Sequence, residues 1–175
     1  AGKAHTCGIT STNALKCWGD NTYWQGGTSA SSTITTPAAV GSSTYSKVSA
    51  GDSTTCALTA ANVLMCWGLQ APVAPLTGQV SLLNSSNTSV NTSYTINPNL
   101  VGTGTASSGS KTATPTAVTS EQNTSNSIVS LGGHHGCVIS SGNRLSCWGA
   151  GQKGQLGMGE SMLFMNAPRP VSNLS

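Results

Sequence analysis

Six cysteines, three histidines and four carboxylates hold most of the chemistry available to this 175-residue chain. The cysteines fall as Cys7/Cys17, Cys56/Cys66 and Cys137/Cys147, each pair separated by nine residues. Two chemistries compete for them: a disulfide within each pair, or zinc held by cysteine together with His5, His134 and His135. Zinc sites use C-x2-4-C spacing or converging pairs, whereas two cysteines facing each other across a hairpin meet the distance a disulfide needs. The spacing therefore predicts Cys7–Cys17, Cys56–Cys66 and Cys137–Cys147, an oxidising compartment, and no metal or cofactor. The carboxylates Asp20, Asp52, Glu121 and Glu160 stand apart in sequence, and nothing arranges two of them at the roughly 5–10 Å that paired-carboxylate hydrolysis requires. Asp20 and Asp52 each follow a glycine at a turn and read as turn formers. His5 and His135 occupy near-equivalent repeat positions, which favours packing or a buried hydrogen bond; His134-His135 beside Gly132-Gly133 is the weaker metal candidate. No phosphate loop, G-x-S-x-G elbow or calcium loop occurs, so the sequence predicts a chain that is not an enzyme. Trp24 is the one aromatic assigned to candidate ligand contact, because the other three tryptophans repeat.

Composition narrows the partners. Charged residues make up 6% of the chain, against about 25% in an ordinary soluble domain. The seven lysines and arginines are scattered singly through the sequence. That spacing makes no basic stripe, which argues against nucleic acid. Apolar runs are only a few residues long, too short for a membrane-spanning helix. No signal-like leader opens the sequence.

The elements that position these residues are repeats. Each second cysteine is followed by Trp-Gly, at Trp18-Gly19, Trp67-Gly68 and Trp148-Gly149. Each first cysteine is preceded by a small-Gly pair: Ala1-Gly2, Ala50-Gly51 and Gly132-Gly133. Between the cysteines, β-prone residues flank short turns at Ser11–Asn13, Ala60–Asn62 and Ser141–Asn143, predicting three hairpins. Trp18, Trp67 and Trp148 read as blade packing. A P-x-x-V element recurs at Pro37–Val40, Pro115–Val118 and Pro168–Val171. The second unit is longer than the others and carries an insertion between Leu69 and Thr114. A basic period of about 50 residues suits a propeller blade.

The combined pattern, A-G-x-x-H-T-C…C-W-G followed by P-x-x-V, resembles the RCC1-like repeat (regulator of chromosome condensation), particularly its cysteine-bearing bacterial and extracellular type. The third copy is most similar, with Gly154-Gln155-Leu156-Gly157 matching the family's G-Q-L-G. The first places Trp24-Gln25-Gly26 where Gly-Gln-Leu would stand, and the second has Leu69-Gln70-Ala71-Pro72. The resemblance covers residues 1–68 and about 115–175. It implies an all-β fold of four-stranded propeller blades, commonly seven. The best-known member is a nuclear guanine-nucleotide exchange factor, but a cysteine-stapled, charge-poor chain fits that intracellular work poorly.

The expected organisation is repeat 1 at 1–36, with its upstream strand missing; repeat 2 at 37–68; the Ser/Thr/Asn-rich insertion at 69–114; repeat 3 at 115–167; and the opening strand of a next blade at 168–175. Asn84, Asn87, Asn91, Asn123 and Asn173 stand in N-x-S/T sequons, so a glycan is a candidate partner. Val80–Leu83 and Ser93–Ile96 are candidates for an extra hairpin. The ends read as half-units, awaiting completion by a longer chain or by head-to-tail strand addition from a second copy. These readings converge on a secreted or cell-surface structural or protein-interaction module that could assemble into a ring or fibre. The alternatives are a carbohydrate-binding module or an accessory domain of a larger secreted protein.

Overall fold

In the computed structural model, described for residues 1–70, 76–83, 89–96, 110–118, 125–140, 142–159 and 164–171, the chain is all-β, as its repeats predict. The first blade is built from β1 (His5–Ile9), β2 (Ala14–Asp20) and the leading part of β3 (Thr33–Ala50). The trailing part of β3 passes into the second blade, with β4 (Thr54–Thr59) and β5 (Leu64–Leu69). The insertion contributes β6 (Leu76–Leu83) and β7 (Ser89–Ile96), after which β8 (Lys111–Ala117) completes the second blade. The third consists of β9 (Asn126–Leu131), β10 (His135–Ser140), β11 (Leu145–Ala150) and β12 (Phe164–Pro170). The strand orders are β1-β2-β3-β4-β5-β8, β12-β11-β10-β9 and β6-β7, and every pairing is antiparallel.

Each cysteine hairpin turns in the same way. Asn13, Asn62 and Asn143 adopt φ of 62°, 62° and 58°, the left-handed region that asparagine tolerates best among residues with a Cβ. Their amides donate to the carbonyls of Thr10, Thr59 and Ser140 at 2.9 Å, giving the type I turn plus left-handed residue of a three-residue hairpin loop. That loop length sets the register, and the register sets Cys7 opposite Cys17, Cys56 opposite Cys66 and Cys137 opposite Cys147. All three disulfides form, with Cα–Cα distances of 4.1 Å.

Neighbouring residues on a strand face opposite ways, so C-W-G puts a disulfide on one face of a blade and an indole on the other. Trp67 of the second blade packs with Leu15, Cys17 and Val40 of the first. Trp148 of the third packs with Cys56, Leu58, Leu64 and Cys66 of the second. Both indoles are fully buried, whereas Trp18 is half-buried. The glycine of the motif is equally constrained. Gly19, Gly68 and Gly149 have φ of 102°, 105° and 95°. A Cβ on them would lie 2.6, 2.5 and 2.5 Å from the backbone oxygens of Ala4, Ser53 and His134.

The P-x-x-V element pairs differently from its sequence reading as the opening of a following unit. Ala38, Thr116 and Arg169 pair with Cys17, Cys66 and Cys147, so each P-x-x-V segment is the last strand of the blade whose cysteines precede it. Residues 168–171 accordingly fall in β12 and its immediate end, not in a new blade. The register shifts between cysteine and glycine in all three pairings. Pro37, Pro115 and Pro168 stand at that shift, where the ladder makes no demand for the N–H that proline lacks.

The insertion has a closed base, since the Gln70 amide donates to the Ser110 carbonyl at 2.7 Å. Its hairpin forms with a register offset from the pairing expected. Val80 pairs with Thr92 and Leu83 with Ser89, so Ser93–Ile96 lies opposite Leu76–Gln79. Asn91 falls in β7 opposite Ser81. Asn84, Asn87, Asn123 and Asn173 lie outside the described residues, as do Glu121 and Glu160.

Candidate functional site at the first blade junction

Among the described residues, the densest polar network lies where the first and second blades meet. It is organised by the loop leaving β2. Asn21, wholly buried, donates from Nδ2 to the carbonyls of Thr28 (2.8 Å) and Ser31, while its Oδ1 accepts from the Gly26 amide at 2.8 Å. Gln25, also wholly buried, accepts from the Tyr23 amide at 2.8 Å and donates from Nε2 to Asp20 Oδ2 at 2.6 Å. Asp20 Oδ1 accepts from the Thr22 hydroxyl at 2.7 Å. With both side-chain oxygens engaged, these residues act as internal braces.

The braced loop presents the Gln25 carbonyl to the second blade. It accepts from Thr55 Oγ1 at 2.7 Å and from Trp67 Nε1 at 2.9 Å. His5 Nε2 lies 2.8 Å from the same Thr55 hydroxyl. One carbonyl oxygen therefore ties together the loop, two strands of the second blade and, through Thr55, the first strand of the first. Buried polar networks of this kind specify one arrangement when satisfied. Burial lowers the His5 pKa below 6.5, against the opposing pull of Asp20. Asp20 sits below 3.8 because hydrogen bonds from Thr22 and Gln25, aided by His5, outweigh its desolvation.

Trp24 has φ of 64°. Its counterpart in the third blade is Gly154, φ 76°, and the backbone bonding is the same: Trp24 N to Asn21 O and Gly154 N to Gly151 O, both 2.9 Å. An indole thus occupies a left-handed position at which glycine carries no penalty. Its ring is covered by Lys111, whose Nζ lies 4.5 Å from the centroid and donates to the Thr22 carbonyl at 2.9 Å. The half-buried Trp24, the candidate ligand contact, spends one ring face on this internal cation–π contact.

The remaining sequence candidates are dispersed. Asp52 pairs with Lys3 at 3.8 Å. His134 is exposed and His135 half-buried, and burial with the neighbouring His134 lowers the His135 pKa. Among the described residues no three His, Cys, Asp or Glu side chains gather as a metal site, and no helix is long and apolar enough to cross a membrane. Sequence reasoning missed Thr55, Lys111 and the role of Gln25. The recurrence of glutamine at 25 and 155 was the available signal, but the working atom is a backbone oxygen, which no side-chain pattern marks.

The repeat geometry has a counterpart among known families. Residues 1–25, 45–70 and 127–155 match the "Regulator of chromosome condensation (RCC1) repeat". The blades carry RCC1-like repeats. The chain superposes on yeast RCC1 (Prp20) in its complex with Kap60, with a TM-score of 0.71 and 18% identity over 99% of this chain and 36% of that one. Against Prp20p from Saccharomyces cerevisiae, in a structure described together with its binding to Gsp1p and histones, the TM-score is 0.72, again at 18% identity, over 99% of this chain and 37% of that one. Human WBSCR16 matches at a TM-score of 0.48 and 16% identity, over 98% of this chain and 52% of that one. The chain thus spans about a third of the yeast structures, and that likeness carries the propeller fold alone. No curated protein matches it.

Proposed function

We propose that this RCC1-repeat chain is a non-enzymatic, extracellular or cell-surface protein-interaction module whose binding surface is a blade face. One observation carries the reading. The disulfide-bearing face recurs three times: Trp67 covers it on the first blade, Trp148 covers it on the second, and among the described residues no indole covers it on the third. Cys56, Leu58, Leu64 and Cys66 are completely buried. Of their counterparts, Cys147 is buried but Cys137, Ile139 and Leu145 are half-exposed, and Ile128, paired with Ile139, is 52% exposed. Apolar side chains aligned across three strands form the kind of patch that marks a docking site.

The three self-contained disulfides support an oxidising location. Yeast Prp20 also engages proteins, Kap60 in one structure. Self-assembly through this face is one form that such docking takes. Face docking is favoured over strand addition, because Pro168–Pro170 is already engaged with β11 and prolines interrupt the β8 and β12 edges. Sedimentation over a concentration series tests this. Wild-type association abolished by Ile139→Glu supports self-docking; a monomer throughout rejects it. Non-reducing mass spectrometry of the native protein without alkylation at any cysteine supports the oxidising location, and free thiols reject it.

A further inference from the structure

The hydrogen-bond chain at the first junction assigns its own protons. The Gln25 carbonyl can only accept, so the Thr55 hydroxyl, 2.7 Å away, spends its single proton there. Thr55 Oγ1 can then only accept from His5, and His5 Nε2, 2.8 Å away, must carry the imidazole proton. That leaves Nδ1 with its lone pair. Nδ1 is buried without a hydrogen-bond partner, in a side chain only 2% exposed. Gly2 lies directly against it, since a Cβ there would stand 3.0 Å from Nδ1. A proton added at Nδ1 would place a donor and a charge on an atom that has no hydrogen-bond partner in this structure, a costly arrangement for a buried group.

We propose that His5, Thr55 and Gln25 form an acid-released latch: the neutral Nε2–H imidazole locks the first blade and its Trp24 loop to the second, and protonation of His5 on acidification lets them separate. Every charged group near the imidazole has a defined place. Asp20, at the end of β2, favours the imidazolium, but its oxygens are engaged by Thr22 and Gln25. Lys3 and Asp52, on the adjoining loops, neutralise each other at 3.8 Å. Burial outweighs the Asp20 attraction. The stabilisation is therefore complete above the ordinary histidine value of about 6.5 and is lost as pH falls through it toward the lower folded-state value.

The latch is specific to one junction. It needs histidine two residues before the first cysteine of one blade and a hydroxyl one residue before that of the next. At the second junction the corresponding residues are Thr54 and Gly136, which cannot form it. Acid would therefore free the loop bearing Trp24 and Lys111's anchor, Thr22, without opening the packing around Trp148.

Hydrogen exchange of the full chain, corrected for intrinsic exchange rates, tests the latch between pH 7.5 and 5. Protection at Gly26, Gly27 and the Trp67 indole is expected to fall by up to tenfold per pH unit below about 6.5, the limit for one linked proton, while the Trp148 indole holds. His5→Gln, whose Nε2 keeps a donor for Thr55 but cannot titrate, is expected to remove that step. Thr55→Val is expected to show the low-pH exchange pattern already at pH 7.5. Nitrogen-15 shifts should report Nε2–H for His5, and its titration should lie below the ordinary histidine value of about 6.5. An Nδ1–H tautomer, or an equal pH step in His5→Gln, overturns the latch. If His5→Gln folds poorly, the tautomer and titration of the wild-type ring decide alone.

Discussion

Trp24 concentrates two opposed terms in one residue. Its φ of 64° is worth about 1–2 kcal/mol against a residue with a Cβ, while the partly exposed Lys111 over the ring returns about 0.5–1 kcal/mol. Replacing it with glycine removes both and is expected to change stability by less than about 1 kcal/mol. Trp24→Ala keeps the backbone penalty and loses the ring, so it should be the less stable of the two by chemical denaturation. Gly68 has no such compensation. Its φ of 105° and the Ser53 oxygen at 2.5 Å from a Cβ leave no room, and Gly68→Ala is expected to cost about 2–3 kcal/mol, read as a lowered Tm. The tryptophans of C-W-G behave as packing groups: Trp148→Ala should cost about 3–5 kcal/mol, with less for the half-buried Trp18.

At the scale of elements, the hairpin is the unit that repeats and the disulfide is its local staple. Each bridge closes a loop with a sequence separation of 10 residues, for which chain entropy predicts roughly 2–3 kcal/mol. The three bridges differ in access. Cys56 and Cys66 are both completely buried, whereas Cys7 and Cys137 are half-exposed. Under graded reductant with trapping of free thiols, the Cys7–Cys17 and Cys137–Cys147 pairs are expected to label first and Cys56–Cys66 last, with the loss of folded structure. Simultaneous labelling of all six would show that reduction needs global opening. β3 is the element that joins units, pairing with β2 through Thr44 and with β4 from Tyr45 onward. Inter-blade bonds then repeat the hairpin geometry: the turn residues Asn13 and Asn62 accept from the amides of Tyr45 and Asn126 at 2.8 and 3.1 Å.

For the whole molecule, acid should act at several points in the same direction. His5 and His135 are held neutral mainly by burial, and each contributes stability that is present above about pH 6.5 and lost below it. Asp20, depressed by its hydrogen bonds, contributes above 3.8 and loses that contribution as pH falls further. Thermal melts are therefore expected to be flat from about pH 7 to 8 and to decline below 6.5, with His135→Gln removing only part of the decline. A molecule equally stable at pH 7.5 and 5 would contradict this.

The cysteine pairs, the hairpin turns, the C-W-G motif and the repeat class were legible in the sequence, because each rests on residues a few positions apart whose geometry is local. The register of Cys7 with Cys17 follows from a three-residue turn, whatever surrounds it. Only the tertiary structure decided where P-x-x-V pairs, since Pro37 or Pro168 could join the preceding or the following unit until strands competed for one edge. It alone brought Lys111 onto Trp24 across 87 residues and set the Gln25 carbonyl between Thr55 and Trp67. Those contacts join blades through a backbone oxygen and a stacked ring, and they exist only after the blades have packed.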